Sequence, residues 1–168
     1  MRLTVETQQR GKDAYLRALR RVARRAGDLS PLMDSIGMGL EASVRERFAE
    51  TSTAPDATRW DPSIADAEGR KTLVDSGNLA DSITHAATRD SVVVGTNVLY
   101  AAIHQLGGTI EGKTSRGLRF QIGERWANVA SVTIPARPFM GLSDDDESMI
   151  LAEATDWLEG AFAAGGAA

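Results

Sequence analysis

His85 and His104 are the two imidazoles of the chain, and there is no cysteine to serve as nucleophile, thiolate ligand or disulfide partner. Either histidine has the chemistry of a general base for a serine hydroxyl. No serine, however, sits in the G-x-S-x-G spacing that exposes a nucleophile on a strand-to-helix turn. His104, beside Gln105 on a short helical stretch, reads as a hydrogen-bonded structural residue rather than a base. The run Asp144-Asp145-Asp146-Glu147 invites a divalent-cation reading. A calcium loop needs oxygen ligands at alternating positions and a turn glycine, whereas consecutive acids on a helix point in different directions. They suit the first turn of a helix, where the backbone dipole favours negative charge. Gly95-Thr96-Asn97 and Gly107-Gly108 lack the spacing of a phosphate-binding loop. No catalytic residue, cofactor or metal is expected.

Composition bounds what positions these residues. The chain has 168 residues, of which 42% are apolar, enough for one domain with a core. No apolar run reaches the length of a membrane span, and the N-terminus has no secretory h-region, so a soluble cytosolic product without membrane contact is the expectation. The net charge of −4 conceals an asymmetry. Residues 1–27 hold eight Lys and Arg against Glu6 and Asp13, whereas seven acids and no base follow Arg137. The basic head and acidic tail can pair within one chain or between copies, as in a head-to-tail ring. They can equally be the solvated faces of two amphipathic helices.

Taken in order, the pattern predicts a helix over residues 8–26, with Tyr15, Leu16, Leu19, Val22, Ala23 and Ala26 on one face. Arg17, Arg20, Arg21, Arg24 and Arg25 form the opposite, basic face. Guanidinium groups suit DNA phosphates, but no aromatics interleave and the domain as a whole is acidic. Ser30-Pro31 marks a second helix start, with Ser30 as N-cap and an apolar stripe of Leu32, Met33, Ile36, Leu40, Val44 and Phe48 running to about Glu50. Residues 1–50 are therefore expected as a helical hairpin. Loop chemistry follows to Lys71, broken by Trp60, which pins the loop to the core or sits at a partner interface.

Residues 72–142 form the expected sheet region. After the turn at Ser76-Gly77-Asn78, Leu79 to Thr88 reads as a strand and pairs with Val92-Val93-Val94 in a hairpin. Tyr100, Ile103 and His104 share the face of a short helix ended by Gly107-Gly108. Residues 107–117 read as a mobile loop, and Leu118 to Ile122 pairs with Trp126 to Ile134. Ser143 caps a last helix over residues 143–163, with Met149, Ile150, Ala154, Trp157, Leu158 and Ala161 on its apolar face. Residues 164–168 read as a frayed tail. The fold class is α+β, a single domain of residues 1–168. Two N-terminal helices and a C-terminal helix pack on a small antiparallel sheet built from hairpins.

One stretch organises the rest. It opens with Leu99-Tyr100-Ala101-Ala102-Ile103-His104-Gln105-Leu106-Gly107-Gly108 and closes with Ile134-Pro135-Ala136-Arg137-Pro138-Phe139-Met140-Gly141-Leu142. Two prolines stiffen the second piece. A stiff segment ending in Phe139 and Met140 suits a docking surface better than a catalytic cleft. The ordered motifs include Trp60-Asp61-Pro62, Leu73-x-x-Ser76-Gly77-x-Leu79-x-x-Ser82-Ile83, Val94-Gly95-Thr96-Asn97-x-x-Tyr100-Ala101-x-x-His104-Gln105-x-Gly107-Gly108 and Ile134-Pro135-Ala136-Arg137-Pro138-Phe139-x-Gly141-Leu142-Ser143. This series, over roughly residues 30–160, resembles the phage virion morphogenesis family, also called phage tail completion proteins. The resemblance implies a structural, non-enzymatic virion assembly protein at the neck, the head–tail junction, which completes or terminates the tail and joins it to the head. It implies a homo-oligomeric ring, commonly of six, contacting other neck, connector and tail-tube proteins. Its expected location is the host cytoplasm during assembly, then the virion. Tyr100, His104, Gly107, Arg137, Pro138 and Phe139 carry the family pattern. Tyr100, His104, Arg137, Pro138, Phe139 and Met140 are the candidate subunit or partner interface. The competing class is a head-side, packaging-associated or nucleic-acid-binding protein in which the basic face meets packaged DNA.

Overall fold

The computed structural model describes residue 24 and residues 27–67, 69–122 and 125–163. The expected helix over residues 8–26 lies outside the described residues, apart from Arg24, which is helical and exposed. The tail over residues 164–168 also lies outside them.

Helix α1, Ser30–Glu46, is the backbone of the fold. Pro31 supplies a preset φ at its start. Ser30 is not the cap: it is the first helical residue, and its N–H and Oγ both donate to Asp28 Oδ1, at 3.0 and 2.6 Å. The apolar stripe is as expected, with Leu32, Ile36, Val44 and Phe48 buried. The helix widens into a π turn at Arg47–Thr51, and both Arg47 and Phe48 are buried there. Ser52, at φ 51°, ends it.

Trp60 anchors the following loop in the core, and short helices follow at Ile64–Ala67 (α2) and Asn78–Asp81 (α3). The second corrects the expected strand beginning at Leu79. Gly77 turns the chain at φ 81°, one helical turn buries Leu79, and only Thr84–Ala87 (β1) is extended. β1 pairs antiparallel with Val92–Gly95 (β2), in the expected hairpin. Helix α4, Ala101–Leu106, stops at Gly107, whose φ of 69° favours glycine. A Cβ there would also lie 2.7 Å from the backbone nitrogen of Ala136.

The region expected as a mobile loop is partly strand. Gly108–Glu111 (β3) pairs with Ser131–Ile134 (β6), and Leu118–Ile122 (β4) pairs with Arg125–Val129 (β5). The two pairs follow each other along one ribbon, and between them the Gly112 N–H donates to the Ala130 carbonyl at 2.8 Å. Among the described residues the six strands make three separate two-stranded antiparallel sheets, rather than one joined sheet.

Helix α5, Asp144–Ala163, returns along α1, with the Ser35 hydroxyl donating to Glu153 at 2.6 Å. The β1–β2 hairpin also packs on α1. There the ring of His85 lies so close over Gly37 that no Cβ would fit. The central core cluster joins Val44, Phe48, Trp60, Leu79, Ile83, Ala101 and Phe139. Met149, Ile150, Ala154 and Trp157 of α5 are partly buried, but Leu158, expected with them, is exposed together with Leu151. The side chain of Ala161 lies outside the described residues.

Candidate functional site

The segment from Ile134 to Leu142 threads between α4, α1 and the Trp60 loop, and side chains hold its backbone on three sides. From α4, Gln105 Oε1 accepts the N–H groups of Phe139 and Met140 at 2.9 and 3.0 Å, while Gln105 Nε2 donates to the Met140 carbonyl at 3.1 Å. From the loop, Trp60 Nε1 donates to the Pro138 carbonyl at 2.7 Å. From the π turn, Arg47 donates to the carbonyls of Phe139 and Gly141 at 2.8 and 2.9 Å. The ring of Phe139 packs 5.1 Å from that of Phe48, which meets Trp60 edge-on at 5.5 Å. Extended backbone without sheet partners needs such donors and acceptors when buried, and here side chains supply them.

Arg47 also reaches Asp146 Oδ2 at 2.5 Å, and both residues are buried. Asp146 accepts the Ser143 N–H at 2.8 Å, and Ser143 Oγ accepts the Asp146 N–H at 3.2 Å, a reciprocal cap of α5. Burial pushes the Asp146 carboxyl up, but hydrogen bonds from Ser43 and Ser143 and the Arg47 charge outweigh it and hold the group below its ordinary value. Thus one member of the acidic run turns inward as a structural ion-pair partner. Among the described residues, no group of three or more His, Asp and Glu side chains is arranged to hold a metal.

The structure corrects part of the candidate interface. Phe139 is 1% exposed and Arg137 is buried, so neither side chain is free to dock on a partner. Arg137 instead donates to the carbonyls of Asp61 and Pro62, at 2.8 and 3.0 Å, and ties the Trp60 loop to the segment. Pro138 and Met140 are half-buried, and Met140 packs against the core cluster. Tyr100 alone of the six is well exposed. It meets His104 edge-on at 5.9 Å and accepts from Asn78 Nδ2 at 3.1 Å.

Tyr100, His104 and Arg137 come together at one groove of about 760 Å³, lined also by Ile64, Leu73 and Ile134. His104 Nδ1 is buried there without a hydrogen-bond partner among the described residues. Burial, with the Arg137 charge second, pushes its pKa down, so the ring is held neutral. Among the described residues, no nucleophile is hydrogen-bonded to it. The groove is of mixed character, with Arg70, Asp75 and Asn78 lining it beside the apolar side chains, and the segment next to it is held as a scaffold. Of the basic face, only Arg24 lies within the described residues; Arg17, Arg20, Arg21 and Arg25 lie outside them.

The sequence alone does not mark Arg47, Gln105 and Asp146 as the residues that hold the segment. Signals were present: Arg47 interrupts the stripe between Val44 and Phe48, and Asp146 stands three residues after Ser143, at capping-box spacing.

Trp60 and Gln105 of the motifs, together with Arg47, therefore build one clamp around residues 138–141, and that arrangement spans much of the chain. The sequence profile of the phage virion morphogenesis family matches residues 12–159. The chain belongs to the phage virion morphogenesis family. It is also similar to Mu-like prophage FluMu G protein 2 of Haemophilus influenzae, with 37% identity over 142 residues, covering 84% of this chain and 87% of that protein. No solved structure matches it. A role in phage virion assembly follows from the family, and of the motif residues Trp60, Leu79, Ile83, Ala101, Arg137 and Phe139 are buried in this structure.

Proposed function

We propose that this virion morphogenesis protein acts at the neck, completing or terminating the tail and joining it to the head, as a homo-oligomeric ring. The resemblance in its motifs supports a ring of six, with neck, connector and tail-tube proteins as neighbours. The observation that carries the reading is an unfinished surface. One side of α5 packs on α1, while Leu151 and Leu158 face water, 68% and 43% exposed, amid the acids of the same helix. An apolar stripe on a subunit of an assembly family is a surface kept for a neighbour. Opposite net charges at the two ends favour head-to-tail contacts over symmetric dimers.

Negative-stain microscopy of a lysate from the parent phage lacking this gene tests the role. Separate filled heads and finished tails are the expected result. Tails of abnormal length would move the role to termination. Empty heads would favour a packaging role with DNA contact through the basic face, and normal infectious particles would refute the neck assignment.

A further inference from the structure

The far half of the ribbon sorts its side chains by face. The registered pairs Leu118 with Val129, Phe120 with Ala127 and Ile122 with Arg125 share one face, whereas Arg119 with Asn128 and Gln121 with Trp126 share the other. The first face is apolar and ends in a cation. The second carries Arg119 stacked 4.5 Å from the Trp126 ring centroid. Ile122, Val129 and Trp126 are exposed, and β4 and β5 find their main packing in each other. A two-stranded hairpin alone in water is marginally stable, and an apolar sheet face is normally buried against another layer.

The rest of the chain offers a surface of matching chemistry. Asp144, Glu147, Leu151, Thr155 and Leu158 recur at three- and four-residue steps along α5, and all are exposed. This outward stripe therefore has carboxylates at its N-terminal end and leucines along the rest. Between Gly108 and Ile134 the ribbon carries Lys113, Arg116, Arg119 and Arg125 against Glu111 and Glu124, while α5 has acids and no base. Apolar meets apolar and cation meets anion in the same docking.

We propose that the apolar face of β4–β5 in one copy docks on the outward stripe of α5 in a second copy of this chain. Helix-on-sheet packing buries Ile122 and Val129 against Leu151 and Leu158, with Arg125 placed toward the carboxylates. Ribbon and helix are different patches, so every copy offers one of each. The contact is heterologous, and it propagates until the rotation closes it into a ring. Duplex DNA would satisfy the cations but leave Ile122 and Val129 in water, which favours a protein surface that has both. The proposal rests on the self-assembly reading above and names the surfaces that carry it.

The natural absence of cysteine makes the contact directly testable. Val129→Cys and Thr155→Cys place one thiol on each surface without touching the core. Mild oxidation of the double variant at micromolar concentration should give a ladder of disulfide-linked multimers. Each single variant should show no such ladder on a non-reducing gel, and an equimolar mixture of the two should give a disulfide-linked dimer. Arg125→Glu should weaken association about tenfold, and adding Glu147→Lys to it should restore the ladder.

No ladder, or a ladder indifferent to both charge reversals, would overturn the proposal. Tight binding of duplex DNA that Arg125→Glu abolishes, with no ladder, would reassign the ribbon to nucleic acid. Slow alkylation of Thr155→Cys in the dilute monomer would show that the chain already covers its own α5, and would also overturn it. A missing ladder beside separate heads and tails refutes this contact and leaves the neck reading standing. A ladder beside normal phage does the reverse.

Discussion

The two histidines sit in opposite electrostatic surroundings. His85 Nδ1 lies 2.7 Å from Glu41 Oε2, and Nε2 lies 3.3 Å from Asp34 Oδ1. The hydrogen bond to Glu41 is the largest influence and raises its pKa above 6.5, with Asp34 adding to it against partial burial. The stability this imidazolium adds is fully present below 6.5 and is lost as pH rises through the higher folded value. His104 behaves oppositely. Its pKa lies below 6.5, so the fold loses stability as pH falls from 6.5 toward the folded value, where only the unfolded chain takes up the proton. Imidazole NMR titration should therefore give one midpoint above 6.5 and one below it. Glu41→Gln should bring the higher one down and leave the other in place; coincident midpoints would contradict both environments. Asp146 offers a sharper test, in stability. Asp146→Ala strands the buried Arg47 charge and should cost about 3–5 kcal/mol in urea unfolding. Asp145→Ala, one residue away and exposed, should change stability by no more than about 0.5 kcal/mol. Equal effects would mean that the acidic run acts as one solvated patch.

Elements repeat the same logic, in which a small number of positions fix a turn that the rest depends on. Gly107 ends α4 in the left-handed region and lets the Ala136 backbone pass beside it, so that the Arg137 N–H can donate to the His104 carbonyl at 2.7 Å. Gly107→Ala introduces both backbone strain and a steric clash, and should cost about 2 kcal/mol or more in chemical denaturation. Gly95→Ala, with nothing within 4 Å of a new Cβ, should stay within about 0.5 kcal/mol of the parent. Elements with a strong local signal were legible in the sequence: the stripe from Leu32 to Phe48, the Val92–Gly95 strand, the stop at Gly107 and the cap at Ser143. Those fixed by distant partners were not. Gly108–Glu111 looks like a polar loop because only Ile110 is apolar, and its strand character comes from pairing with Ser131–Ile134, some twenty residues away. Leu79 has a strand-like neighbourhood, yet Gly77 and the Trp60 cluster favour a single helical turn. In the sequence Phe139 and Arg137 look like interface residues, because rigidity and aromatic character mark docking segments and interior anchors alike.

At the scale of the molecule, one small core stands beside a large exposed apolar surface among the described residues. The aromatic cluster around Phe48 closes one small core, while Leu99, Leu106, Trp126 and Leu151 are all more than 60% exposed. If the surfaces of α5 and the ribbon are completed by a neighbouring copy, native-state association must add to stability by mass action. Each tenfold rise in concentration then adds up to about 1.4 kcal/mol, which for a chain of this size moves the melting temperature by about 3–6 °C. Leu151→Asp removes an exposed group, so the dilute protein should melt where the parent does. What it should lose is the rise with concentration, because a carboxylate in the docked stripe must be desolvated without a partner. High salt should reduce the rise without abolishing it, since screening weakens the ion pairs across the contact but not the apolar burial. A melting temperature independent of concentration in the parent would remove self-association as the reason for these exposed leucines. They would then be surfaces for a different virion protein.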